Sequence, residues 1–134
     1  MKNSEYNFSQ PYIKESFFKV NPDFVGNEDQ PITLCTKVNV YNNYQYGSND
    51  NSAICGLNVE VGEETGNAPF YVRINMESEF SWKDKDQNEI RKFLSVNAPS
   101  LIIGYARPII TFLTSNSQFP PFNLAFINFK DEKK

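Results

Sequence analysis

The sequence contains no histidine. That absence removes His-based triads and dyads and every His metal ligand, leaving only His-free variants. Cysteine is nearly absent too, with Cys35 and Cys55 alone. Two cysteines on separate strand patterns are too few for a structural zinc site. Free buried thiols are the state expected in a reducing compartment. The six glycines are scattered singly and build no phosphate-cradling loop and no Walker motif. Positive charge is in no surplus: 13 Lys and Arg stand against 16 Asp and Glu, a formal net charge of −3. The basic footprint of a nucleic-acid binder is therefore missing. No apolar run approaches the length of a membrane span, and Met1 to Pro11 is polar, with no signal-peptide core. These absences predict a cytoplasmic protein with no nucleic-acid or membrane partner, no cofactor and no metal. The carboxylates offer pairs, notably Glu63 with Glu64 and Glu77 with Glu79. They read as solvated turn and strand-face residues, because an acid–base pair needs a pocket that shifts one pKa. The expectation is a protein that is not an enzyme.

What the sequence has is aromatic mass. Twelve Phe and seven Tyr lie in 134 residues. That length predicts a single domain over residues 1–134, able to bury a modest core. Met1 to Pro11 reads as a loose arm and Lys130 to Lys134 as a solvated end. Tyr12 to Val20 alternates imperfectly and reads as a first strand. Asn21 to Pro31 is a connection rich in Pro and acids. Ile32 to about Tyr46, Ala53 to Val61 and Phe70 to Trp82 alternate apolar with polar, as three long half-buried strands do. Short turns between them predict an antiparallel meander, and the first strand adds to one edge.

After Trp82 the period changes. Asp86 with Glu89 forms a capping box, and Ile90, Phe93 and Leu94 make a short apolar stripe. Asn97-Ala98-Pro99 is expected to end that helix, and Pro99 to open a longer one. Leu101, Ile102, Tyr105, Ile109, Phe112 and Leu113 recur at helical spacing. Ile103 and Ile110 widen the stripe beyond what one sheet can cover. Pro108 predicts a kink or a fresh start. Asn116-Ser117 ends the helix, and Pro120-Pro121 holds the following chain extended. Strands first and helices last predict an α+β fold: a four-stranded antiparallel sheet with a short and a long C-terminal helix on one face. Phe119, Phe122, Leu124, Phe126 and Phe129 follow with almost no charge. Singly, each is expected in the core; as a set, they could line an apolar groove. Arg107 reads as an arginine paired with a carboxylate or holding a carbonyl.

The words YAR (Tyr105 to Arg107), FPPFNLA (Phe119 to Ala125) and INF (Ile127 to Phe129) resemble, in order and spacing, the C-terminal signature of the protein-export chaperone SecB. GEET (Gly62 to Thr65) and EFSW (Glu79 to Trp82) are fainter echoes. The resemblance implies a dimer of dimers, joined by edge strands and by the long helices. It implies ATP-independent holding of unfolded polypeptides and delivery to the ATPase SecA. By position, Phe80 and Trp82 with Phe119, Phe122, Leu124, Phe126 and Phe129 would border the client groove. Leu101, Ile103, Tyr105, Ile110 and Phe112 would form the oligomer interface. Glu63 and Glu64 would face SecA. Two departures bear on export more than on fold. SecB proteins continue past asparagine-phenylalanine into a second helix and a docking tail, whereas this sequence ends KDEKK at Lys134. The GEET turn is also followed by a longer hairpin, Gly66 to Pro69. The alternative is a regulatory module with one dedicated folded partner, such as an antitoxin-type client.

Overall fold

A computed structural model describes residues 6–26 and 34–131. Its strands are β1 (Asn7–Phe8), β2 (Tyr12–Val20), β3 (Thr36–Asn42), β4 (Ser52–Gly62) and β5 (Phe70–Ser81). The predicted start of the second strand at Ile32, the connection beyond residue 26 and the last charged residues lie outside the described residues.

The three long strands form the expected meander, β3 against β4 and β4 against β5, all antiparallel. The first strand does take an edge, but the edge of β5 rather than of its sequence neighbour. The order is therefore that of a Greek key, in which the fourth strand returns beside the far end of the meander. β1 continues the same edge, with Asn7 opposite Ser81 and Phe8 opposite Phe80. The end of the supposed loose arm is thus sheet. The imperfect alternation of β2 also has a cause. The register shifts between Ile13 and Glu15, a bulge that returns Phe18 and Val20 to the inner face.

The inner face carries Cys55, Leu57, Val59 and Val61 of β4 and Phe70, Val72, Ile74 and Met76 of β5, all buried. Period-two alternation on central strands gives this face its apolar row. The outer face is polar but ordered. Tyr41 lies across Gly56, where a Cβ would come within 2.5 Å of its ring; the glycine makes room for the tyrosine. Tyr41 Oη donates to Glu77 Oε2 at 2.7 Å, Tyr12 Oη to Oε1 at 3.1 Å, and Lys14 Nζ stands 3.8 Å away. Glu77 is therefore a bonded, largely buried carboxylate, not the solvated strand residue expected. Beside it, Arg73 forks onto Glu15 and rests on the rings of Phe17 and Tyr71. Hydrogen bonding to Arg73 holds the Glu15 carboxyl below its ordinary value.

The helical layer begins with α1 (Gln87–Lys92), and the Asp86–Glu89 capping box is formed in both directions. Asn97-Ala98-Pro99 does not break the chain. A π turn (Phe93–Asn97) leads straight into α2 (Ala98–Ser115). Pro99 falls at the junction of the π turn and α2. Pro108 also sits inside a continuous α2 rather than restarting it. The fused stretch Gln87–Ser115 is long and apolar enough, by length and composition, to cross a membrane. The reading that no run approaches such a length missed it, because the π turn joins two pieces that look separate. In the fold its inner side packs on the sheet, with Ile90, Leu94, Ile102, Ile103, Ala106 and Ile110 buried.

Candidate functional site

α2 crosses β4 and β5, the central strands. From Asn116 the chain turns back, and residues 119–128 run without regular structure until a 3-10 turn at Phe129–Asp131. Three polar side chains on α2 hold this strap. Arg107 donates to the carbonyls of Leu124 (3.3 Å) and Ala125 (3.1 Å). Thr111 Oγ1 donates to Phe122 O or Asn123 Oδ1. Buried Thr114 Oγ1 donates to Ile110 O and accepts from Phe122 N at 2.8 Å. A strap with no strand partner needs such bonds, since buried backbone groups must be paired. Arg107 is thus the carbonyl-holding arginine expected; the threonines, at matching helical spacing, were not singled out from sequence.

The seven groove candidates do not share one surface. Phe80, Trp82, Leu124 and Phe129 are buried in the core. Phe80 packs on Phe93 edge to face, and Trp82 on Tyr44. Phe119 and Phe122 are half-buried on the strap, with Phe119 edge-on to Phe24. Phe126 points to solvent, 83% exposed. For the core four, the bland reading is the right one: aromatic mass on the inner face fills the sheet–helix layer.

The helix candidates split as well. Ile103 and Ile110, expected on the uncovered side, are 2% and 0% exposed within the chain's own core. Helical geometry puts them on the sheet side with Ala106, because i, i+3 and i+7 share a face. The uncovered stripe is Tyr105 and Phe112, the latter 66% exposed, flanked by half-buried Leu101 and Ile109. No charge interrupts it.

Because the helix and strap cover only the middle of the sheet, the inner face of the flanking strands stays partly open. On the β5 edge this leaves Phe8 and Ile13 exposed and Phe18 half-buried; on β3 it leaves Val38 half-buried and Val40 exposed. Sequence reasoning did not single these out. Alternation marks them as inward, but not that the helix stops short of them. Glu63 and Glu64 lie at the tip of the β4–β5 hairpin, exposed. They line a cavity of about 410 Å³ with Lys19, Asn21 and Tyr71. Gly62, at φ 83°, opens that turn with its Cα against Phe70 O, where no side chain fits. Cys55 is buried beneath the π turn, its thiol directed at Leu94 O (3.9 Å). Burial pushes that thiol up to about 12. Cys35 is exposed. Among the described residues no cluster of three or more Cys, Asp or Glu is placed to hold a metal.

A Greek-key antiparallel sheet thus lies under one long helix and an apolar C-terminal strap. The family described as preprotein translocase subunit SecB matches residues 2–131. This chain belongs to the SecB family. It is 28% identical to the protein-export protein SecB of Actinobacillus succinogenes, over 88% of this chain and 72% of that one. It is 27% identical to the uncharacterized protein MJ0357 of Methanocaldococcus jannaschii, over 90% and 77%. In fold it is similar to the Mycobacterium tuberculosis Rv1957 SecB-like chaperone, solved with a ChAD peptide from the Rv1956 HigA1 antitoxin. The TM-score is 0.72 at 10% identity, over 92% of this chain and 91% of that one.

Proposed function

We propose that this protein is an ATP-independent holdase that binds unfolded polypeptides along apolar surface. The observation that carries the reading is the partial cover of the sheet. Apolar side chains of the flanking strands (Phe8, Ile13, Val40) and of the strap (Phe126) stand in water. Such surface favours polypeptide association over solvent. Membership of the SecB family supports the same reading, which involves no catalysis, no cofactor and a cytoplasmic site of action. The test is suppression of aggregation of a denatured client without nucleotide. Near-stoichiometric protein is expected to suppress it, and failure at several-fold excess refutes the reading.

A second reading is a chaperone of one dedicated client, favoured by the antitoxin peptide bound to the structurally similar mycobacterial chaperone. Affinity capture separates the two: many unrelated unfolded chains favour the general holdase, one dominant chain the dedicated one. SecA contact through Glu63 and Glu64 belongs to the export form of the reading. Titration with SecA is expected to show binding that the charge reversal Glu63→Lys with Glu64→Lys abolishes. Client binding without SecA affinity would leave those carboxylates as turn residues.

A further inference from the structure

The short strand β1 behaves as a peptide laid onto a site rather than as part of the frame. β2 leaves β5 where Tyr12 faces Glu77, and Gln10-Pro11 then interrupts the ladder. Beyond that break Ser9 is pinned: its N–H donates to Glu79 O (2.9 Å), and Ser78 Oγ donates to its carbonyl (2.6 Å). Past Ser9, among the described residues, Asn7 and Phe8 pair with β5. With Tyr6 before them, the side-chain pattern is aromatic, polar, aromatic. Tyr6 stacks flat on Phe93 at 3.7 Å between centroids and 3° between planes. Phe8 meets Phe80 at 6.3 Å but stays 46% exposed. Beside Tyr6 lies an open surface hollow of about 360 Å³, lined also by Glu89, Lys92, Phe93 and Asn97. The Tyr6 hydroxyl reaches Glu89 O only at 3.4 Å. Phe93 opens the π turn, and π turns are frequent at functional sites.

Strand addition with side-chain pockets at alternate residues is a general mode of peptide capture. We propose that the end of β5 from Glu79 to Trp82, with Phe80 and Phe93 as its floor, is a peptide subsite. It takes an extended segment with two aromatic side chains two residues apart. Tyr6–Phe8 is the chain's own exchangeable occupant of it. The inference deepens the client-binding reading and rests on it. A short strand at the end of the sheet, with one ring nearly half in water, opens at lower cost than the body of the sheet, even with Tyr6 resting on Trp82 and under Lys85. An incoming segment replaces the same backbone bonds and the same two rings, and no new pocket has to form.

The test uses the full chain and a fluorescent Gly/Ser peptide carrying one Phe-x-Phe, against an Ala-x-Ala control, read by anisotropy. Tyr6→Ala with Phe8→Ala is expected to tighten Phe-x-Phe binding about fivefold, the ratio for an arm that covers its subsite in about four of five molecules. Circular dichroism checks that the sheet is kept. A second variant locks the arm: Asn7→Cys with Ser81→Cys, opposite one another in the ladder, in a Cys35→Ser background. Oxidation is expected to abolish Phe-x-Phe binding and reduction to restore it. Equal affinity for the wild type and the double alanine variant, or binding indifferent to the lock, overturns the proposal. So does a lock that forms between two chains, since the occupant is then a second copy. Aggregation suppression by the same proteins keeps the two readings apart. Suppression with no change in peptide affinity ends this inference alone; peptide exchange without suppression ends the holdase reading alone.

Discussion

Thr114 shows how much can rest on one hydroxyl in this chain. Fully buried, it gives its proton to the helix and takes the N–H of Phe122 from the strap. Thr114→Val keeps the shape and leaves Phe122 N without a partner, which costs about 1–3 kcal/mol. Urea unfolding is expected to show that loss, with faster proteolysis within Phe119–Phe129. Wild-type stability in the valine variant would mean the strap is held otherwise. Cys55 carries a second prediction. Burial raises its thiol from 9.0 to about 12, so the folded chain holds that proton more tightly than the unfolded one. Its contribution is whole below about pH 9 and erodes as pH climbs from 9 toward 12. Cys55→Ala is expected to flatten that alkaline decline. In the native protein a thiol reagent should label Cys35 and spare Cys55 until unfolding. Residue chemistry of this kind was only partly legible in sequence. A buried thiol in a strand pattern could be read, but Glu77 could not, because its tyrosine partners come from two other strands.

At the scale of elements, the long helix decides the most. Its stripe of apolar residues is visible in sequence, but which part faces the sheet depends on how the helix is rotated about its axis. That rotation puts Ile103 and Ile110 inside and Phe112 outside. Ile110→Asp would therefore bury a carboxylate in the core and is expected to unfold the protein rather than split an assembly. Phe112→Asp is the informative change: it should leave the melting temperature nearly unchanged and weaken any association made through that face. Light scattering and thermal melting of both variants check this. A folded Ile110→Asp protein would show that the helix sits otherwise. Helix continuity was misjudged at Asn97-Ala98-Pro99 because proline in a first helical turn looks the same whether it opens a helix or follows a π turn.

For the whole molecule, we propose a homodimer at least, and a tetramer built as a dimer of dimers. Among the described residues β3 and the β1–β2 pair are the edges of the sheet, and the stripe of Tyr105 and Phe112 is uncharged and open. Closed twofold symmetry can cover both kinds of surface. Light scattering is expected to report more than one chain per particle at micromolar concentration. A clean monomer there would return all this surface to client binding.

Though it overran β3, which ends at Asn42, and missed β1, the sequence by itself determined the class of fold, the ends of β2, β4 and β5 within a residue, the capping box and the family. Those follow from local periods, cap chemistry and a signature contained in one short stretch. It offered no set of residues recognisable as a catalytic centre. Only the tertiary structure decided that the first strand lies beside the last, that four of seven groove candidates are core, and that Phe8 pairs with β5 while Tyr6 stacks on Phe93. Strand order, helix rotation and cover are set by which apolar faces meet across the whole chain. A period of two or of 3.6 says that a side chain has an inside, but not whether anything comes to cover it.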